Sequence, residues 1–335
     1  MISAVHFRNF KALRSAAVQL EPFNLLLGPS GSGKTSLIQS LLQLRGLSGL
    51  PVTHAHDLKG QAPSGPQITF HFNPPFNDVR VTLGCNSNEL LCNLLVVDHA
   101  PGIEGEGKWG ELRTRLQTIR AFVFDHNVIG LTAKMKEGAE LSSNASNLAA
   151  VLAERRRRFS EKFANLEADF CRIMPEFSGL DFRMVGGSHV ELLARLAESG
   201  ELLSAGSLSQ GTLYLLAILT LAHAPEPPAI VCIEEADRGV HPRLLREVRD
   251  ALYRLSYPLE RTGGRAPVQV LATTHSPYLL DLFKDHPEEV VLANKHGNAA
   301  TFERLSERKD LMELMKEAHL GDLWYSGILG AVPDE

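Results

Sequence analysis

Four short stretches of the chain carry residue types suited to phosphate chemistry. Gly28-Pro29-Ser30-Gly31-Ser32-Gly33-Lys34-Thr35 fits the pattern G-x-x-x-x-G-K-S/T at every fixed position. Glycines there let successive backbone N–H groups turn toward phosphate oxygens, and a helix starting at the loop adds the positive end of its dipole. Lys34, expected in a solvent-facing loop, would reach the β- and γ-phosphates of a bound nucleotide. The Thr35 hydroxyl would ligate Mg²⁺, and Ser36 completes the candidate contacts.

The second stretch, Ala229-Ile230-Val231-Cys232-Ile233-Glu234-Glu235, is an apolar strand ending in two carboxylates. In an open α/β sheet such an ending lies at the carboxyl edge, where ligands bind. Glu234 would hold Mg²⁺ through water, and Glu235 would polarise a water attacking the γ-phosphate. Charged pairs at strand ends are often only solvated; the glycine-rich loop is what gives these two a task. The third stretch, Val270 to Pro277, again ends an apolar strand, in Thr273-Thr274-His275. His275 there can hydrogen-bond the γ-phosphate or the attacking water. The fourth, Ser207-Leu208-Ser209-Gln210-Gly211-Thr212, precedes an apolar helix for which Ser209 reads as an N-cap.

Those residues need a scaffold, and the surrounding pattern predicts one. Phe23 to Leu27 reads as a strand buried on both faces, and Leu37, Ile38, Leu41, Leu42 and Leu44 as a helix closed by Gly46 and Pro51. Residues 46–67 and Pro101 to Gly110 read as loops. Alternation over residues 68–98 predicts an antiparallel meander. One helix is expected from Ser146-Asn147 to Pro175, and a hairpin at Val185 to Val190. After Leu208 the text alternates helix and apolar strand, which implies a largely parallel sheet with crossover helices.

Composition bounds the rest. With 335 residues, the chain has length for one large domain or two. Hydrophobic content of 44% and charged content of 22% exclude wholesale disorder. The net charge of −5 gives no global nucleic-acid signal, so any such contact must be a local patch. The longest apolar run, Leu213 to Ala222, is too short to span a bilayer, and His6, Arg8 and Lys11 interrupt the start where a signal peptide would be apolar. Cys85, Cys92, Cys171 and Cys232 show no pairing or metal spacing, as in a reducing compartment. The expectation is a cytoplasmic protein with no membrane partner.

At Leu208-Ser209-Gln210-Gly211 the chain resembles the ATP-binding-cassette superfamily, whose signature reads Leu-Ser-Gly-Gly. The resemblance implies that Ser209, Gln210 and Gly211 serve ATP held by an opposite subunit, so the sites are shared in a homodimer. The opening Phe7-Arg8-Asn9-Phe10-Lys11, the pair Glu234-Glu235 and the segment Ala236 to Pro242 are similar to RecF, SMC and OLD-like ATPases. Leu141 to Leu152 and Leu320 to Gly327 are like segments of small stand-alone bacterial ATPases of that kind. The implied fold is α/β, a P-loop NTPase of the ABC/SMC type with a mostly parallel sheet flanked by helices. An antiparallel β-rich insertion is expected over 66–125 and a helical and hairpin insertion over 140–206, within a single domain of 1–335. The implied function is an ATP-hydrolysing, Mg²⁺-dependent dimeric switch in DNA repair or defence against mobile elements, acting on DNA or a partner effector. A transporter subunit and an ATP-dependent assembly module are the alternatives; the long stretch from Lys34 to Ser209 argues against the first.

Departures and weaker signals remain. Ala236 stands where the family has proline, and no glutamine is marked as that of the Q-loop, Gln67 and Gln61 being only weak candidates. Arg155 to Arg158 could touch phosphates or be a solvated helix face. His54, His56, Asp57, His71 and His99 fit no familiar metal spacing. No heptad stretch suits an SMC coiled-coil arm, and no acidic strand system after His275 suits a Toprim nuclease.

Overall fold

Apolar runs and alternating runs segregate into different sheets in the computed structural model, which describes residues 1–51, 53–54, 65–86, 91–99, 103–258 and 266–332. The first stretch forms β1 (Ile2–Phe10), β2 (Leu13–Gln19), β3 (Phe23–Leu27), helix α1 (Lys34–Ser48), β4 (Thr53–His54), β5 (Gln67–Phe72), β6 (Arg80–Cys85), β7 (Cys92–Asp98), α2 (Ile103–Leu116) and β8 (Arg120–Phe122). Next come α3 (His126–Ile129), β9 (Ala133–Lys134), α4 (Leu148–Arg158), α5 (Ser160–Ile173), β10 (Phe177–Val185), β11 (His189–Leu196), β12 (Leu202–Ser204) and α6 (Gln210–Ala222). The last stretch holds β13 (Ile230–Ile233), α7 (Leu245–Ser256), β14 (Gln269–Thr273), α8 (Pro277–Asp281), β15 (Val290–His296), β16 (Ala299–Arg304), α9 (Leu311–Glu317) and α10 (Leu320–Tyr325). Two compact units result: Met1–Ala121 with Pro228–Ile233 and Arg265–Glu335, and Phe122–Pro227 with Glu234–Gly264.

In the first unit one six-stranded sheet has the order β16-β15-β3-β14-β13-β8. Strands β15, β3, β14 and β13 run parallel, and β16 is antiparallel to β15. All five residues of β3 are buried, as its apolar sequence requires of a strand covered on both faces. Its one polar member, Asn24, is satisfied through Nδ2 to the carbonyls of Glu21 (2.6 Å) and Val270 (3.3 Å). A second sheet, β2-β1-β5-β6-β7-β4, contains the expected meander continuous with the N-terminal hairpin. Buried Gln269 ties the sheets, accepting from Ile2 N–H (3.0 Å) and donating to the Ile2 carbonyl (2.7 Å). Helix α1 buries Leu37, Ile38, Leu41, Leu44 and Leu47 in a core shared with Phe7, Phe70 and Phe76 of one sheet side and Leu26, Cys232 and Leu271 of the other. Each such leucine contributes about 2 kcal/mol. That core fixes the helix whose first turn carries Lys34.

The second unit pairs helices with a small antiparallel sheet, β10-β11-β12, to which β9 adds on β11. The predicted hairpin is β10–β11, turning through Gly186 (φ 57°) and Gly187 (φ 78°). Helix α6 is buried along its whole length from Gly211 to Ala222, as an all-round apolar helix must be.

Four expectations change. The stretch Pro101 to Gly110 is not a loop where it is described: α2 starts at Ile103, and Pro101 and Gly102 lie outside the described residues. Tertiary burial of Trp109, Leu112 and Leu116 overrides its glycines, and Arg113 Nε donates to the Ser48 carbonyl (2.6 Å). Helix α1 also passes through Gly46 to Ser48. The single helix expected up to Pro175 is two, broken at Phe159 (φ −133°, ψ 55°), because α4 packs on β11 and α5 on β10. Cys85 and Cys92 are not unpaired: they are cross-strand partners joined as a disulfide. No helix among the described residues is long and apolar enough to cross a membrane.

Candidate nucleotide-binding site

The glycine-rich loop joins β3 to α1 in a shape that only glycine permits at two positions. Gly28 has φ 149°, and a Cβ there would meet the carbonyl oxygen of Ala293 on β15 and lie 2.8 Å from Ser32 Oγ. Gly33 has φ 97°, and a Cβ there would lie 2.9 Å from Leu13 Cδ2. Gly33 is also the N-cap of α1, so no side chain caps that helix. Lys34 is not in a solvent-facing loop. It is the first residue of α1, 8% exposed, with Nζ donating to the carbonyls of Gly28 (2.6 Å) and Pro29 (2.9 Å) and 3.5 Å from Ser32 Oγ. The loop curls around its own ammonium and so presents fixed positive charge at the head of a helix, the arrangement that receives phosphate. Pro29 and Ser32 are buried or nearly so, Ser30, Gly31 and Thr35 are exposed, and Ser36 is half-buried.

Strand order puts other candidates at the same edge. Thr273 of β14 pairs with Leu26 of β3, so both chains leave the sheet side by side, into Thr274-His275 and into Gly28. Buried Thr274 donates its N–H to Leu26 O (3.2 Å), and its Oγ1 accepts from Ser276 N–H (2.9 Å). Ser276 in turn caps α8 through Leu279 N–H (3.2 Å). These bonds hold the turn and leave the His275 side chain exposed. On the other flank of β3, Lys295 of β15 reaches the loop at Gly31, a residue no motif marks. Next along the sheet β13 ends at Ile233, and the chain continues directly into Glu234.

In the second unit Glu234 is half-buried, its N–H donating to Phe122 O (2.9 Å). Glu235 is exposed with φ 52°, a left-handed conformation that costs a non-glycine residue about 1 kcal/mol or more. Its carbonyl accepts from Arg238 N–H (2.9 Å), and Arg238 Nη1 lies 3.5 Å from its carboxylate. Ser209 caps α6: its Oγ accepts from Thr212 N–H (3.1 Å) and lies 2.7 Å from Thr212 Oγ1. Gly211 packs so closely that a Cβ would sit 2.5 Å from Gly239 O, and a Cβ on Gly239 would sit 2.7 Å from Gln210 Cδ. The unit thus binds the signature segment to the turn that follows the two carboxylates.

The sequence model of the family described as "AAA domain, putative AbiEii toxin, Type IV TA system" matches residues 23–281. The chain belongs to this family of AAA-domain proteins. Among solved structures it is similar to an SMC head bound to the C-winged helix domain of ScpA, at 12% identity over 94% of this chain and 99% of that one, with a TM-score of 0.59. It also matches the SMC head domain from Thermotoga maritima at 12% identity, over 90% and 98% of the two chains, with a TM-score of 0.48. The comparison with curated proteins finds no match. The fold of this AAA-domain protein is therefore the ABC/SMC-like P-loop ATPase fold.

Elsewhere the AAA-domain chain departs from its sequence signals. The four arginines are each partnered, although Arg156, Arg157 and Arg158 are exposed. Arg155 is half-buried, donates to the Thr220 carbonyl, and has its pKa pushed down to about 10 by desolvation. Arg156 lies over the rings of Phe163 (5.9 Å) and Phe182 (5.7 Å) and pairs with Asp181 (3.2 Å). Arg157 and Arg158 share Glu154 (3.0 and 3.7 Å), whose carboxyl is held below its ordinary range first by the Arg157 hydrogen bond. Gln67 opens β5, paired with Arg8 and Gly84 in the second sheet, and Gln61 lies outside the described residues. His56 and Asp57 also lie outside them, as does the side chain of His54. His71 packs against the His6 ring (4.9 Å), and no group of three metal-ligating side chains gathers among the described residues.

Proposed function

We propose that the protein binds Mg-ATP at Gly28 to Ser36 and hydrolyses it as a switch, two copies sharing two sites. The observation that carries this reading is the loop itself: glycines at 28 and 33 whose Cβ positions are already filled, and a buried lysine ammonium held by loop carbonyls. In this reading Lys34 binds the β- and γ-phosphates, and the loop N–H groups bind the phosphate oxygens between them. Thr35 and Glu234 supply only oxygen donors, the set Mg²⁺ prefers, and would hold the ion. Bound there, Mg²⁺ would neutralise phosphate charge. Glu235 polarises the attacking water, and the exposed His275 reads the γ-phosphate. Ser209, Gln210 and Gly211 act on the nucleotide of the second copy, because Ser209 begins a helix whose dipole favours an anion.

The family description supports a role in defence, and the cytoplasm is where ATP would drive it. A protein effector is favoured over DNA as the partner, since the arginines of α4 are already engaged with carboxylates, rings and a carbonyl. Lys34→Met tests the binding step, keeping the packed aliphatic stem while removing the ammonium. Calorimetry on the folded variant is expected to show Mg-ATP affinity reduced roughly a hundredfold, the value of two charge-assisted hydrogen bonds; unchanged affinity overturns the assignment. Glu235→Gln tests the shared site: light scattering is expected to show a dimer that forms on adding ATP and persists. A variant that stays monomeric with ATP bound contradicts the dimeric reading.

A further inference from the structure

A second lysine stands beside the phosphate loop, brought there by pairing and not by motif. Strand β15 runs parallel to β3 in the register Val290↔Leu25, Val291↔Leu26 and Leu292↔Leu27. There β3 ends and the loop begins, but β15 continues to His296 and so flanks the loop. Ala293 lies against Gly28, where a Cβ would come within 3.1 Å of the alanine Cβ. Side chains two apart share a strand face, so Lys295 points the same way one step further on. Its Nζ lies 3.7 Å, and its Cδ and Cε 4.0 Å, from where a Cβ on Gly31 would be. The strand end is anchored. Lys295 pairs with Ala300 of β16, and Asn294 Oδ1 accepts from Ala331 N–H (2.7 Å).

The charge on this lysine is unlike the basic run on α4. Lys295 is exposed, and its side chain makes no hydrogen bond or ion pair among the described residues. Lys34 is enclosed by the loop from within; Lys295 approaches the tip from outside. We infer that Lys295 is a second phosphate-binding cation of the nucleotide site, swinging from Gly31 onto the terminal phosphates of a bound triphosphate. Four rotatable bonds give its ammonium that freedom, and nothing described holds it elsewhere. The inference rests on the nucleotide reading of the loop and adds to it a preference. ATP carries one more charged phosphoryl group than ADP, so a cation at the tip attracts ATP more.

Calorimetry of Mg-ATP and Mg-ADP binding to wild type, Lys295→Met and Lys295→Arg tests it. Lys295→Met keeps the stem over Gly31 and is expected to weaken ATP binding about tenfold and ADP binding about threefold, as loss of one partly screened charge would. The ATP affinity of this variant should also fall less steeply with added salt, and Lys295→Arg should restore most of the loss. The melting temperature without nucleotide should stay at the wild-type value. Unchanged ATP affinity in Lys295→Met overturns the proposal, as does tighter binding, which would make the lysine a shield over the loop. Equal losses in the Met and Arg variants would reduce it to packing and also overturn it. A wild type that binds no ATP defeats the nucleotide reading itself, whereas wild-type binding with an indifferent Lys295 defeats only this addition.

Discussion

Helix α1 and helix α6 each begin at a motif, one in each unit, and they begin in opposite ways. At α1 the N-cap is Gly33 in the left-handed region, with no side chain to take a donor of the first turn. At α6 the N-cap is Ser209, whose Oγ accepts from Thr212 N–H in the ordinary manner. A helix start without a side-chain cap relies on other groups for its first-turn donors, and an anion is the natural one. A helix start with its own cap is complete in itself and must exchange that hydrogen bond to serve a ligand. In the proposed function the loop at α1 is accordingly a site built within one chain, and the signature at α6 one that acts when a second copy arrives.

The largest effect should come from disturbing the built site. Gly28→Ala places a Cβ against the Ala293 carbonyl at a φ of 149°. Strain and overpacking together should cost about 3 kcal/mol in denaturant unfolding and remove ATP binding. Gly211→Ala has its own close neighbour, Gly239 O at 2.5 Å, and should cost about 2 kcal/mol. It should leave ATP affinity near wild type. Equal loss of ATP binding in both variants would break the distinction between the two helix starts.

Ser209 sharpens the distinction at a smaller scale. Ser209→Ala removes the cap and should cost about 1 kcal/mol, with ATP binding retained and ATP-dependent dimer and turnover reduced. Ser209→Asp keeps a good N-cap but sets a negative charge where the second copy's phosphate would come. Its stability should match wild type in denaturant unfolding while turnover disappears. An Asp variant with full turnover would confine Ser209 to capping.

How far the sequence foretells this arrangement depends on how local each cause is. The loop at Gly28 to Thr35 was legible because its shape is set by residues adjacent in sequence. The carboxyl edge was legible because β3, β13 and β14 are continuous apolar runs, as covered parallel strands must be. Helix α2 was not, since Gly107 and Gly110 disfavour a helix and its support comes from burial of Trp109, Leu112 and Leu116 in a distant core. The engagement of Arg155 and Arg156 on α4 was not legible because their partners, Asp181, Thr220 and the rings of Phe163 and Phe182, are remote or unmarked. The Cys85–Cys92 bond and the approach of Lys295 both follow from strand register, which spacing alone does not give.

The far end of α6 offers the smallest and most specific test. His223 is the C-cap, and its Nε2 lies 2.8 Å from Asp169 of α5, which also pairs with Arg254 of α7. Burial holds the His223 pKa below its ordinary 6.5, with Arg254 and Arg155 adding to the effect and Asp169 opposing it. Burial would raise the Asp169 carboxyl, but hydrogen bonds from Arg254 and His223 outweigh it and leave that group below its ordinary value. Because the folded imidazole resists protonation more than the unfolded one, the unfolded chain binds the extra proton first. The stability is therefore present above pH 6.5 and is lost as pH falls from there through the folded value. Thermal melts between pH 7.5 and 5.5 should show this loss in wild type. His223→Gln keeps a donor toward Asp169 without titrating, so its melting temperature should fall less over the same interval. The ATP affinity of the loop at α1 should not distinguish the two proteins at either pH. Parallel acid losses in wild type and variant would mean that α6 is not anchored at its end by a neutral histidine, and would leave its N-cap as the side-chain tie that sets it apart from α1.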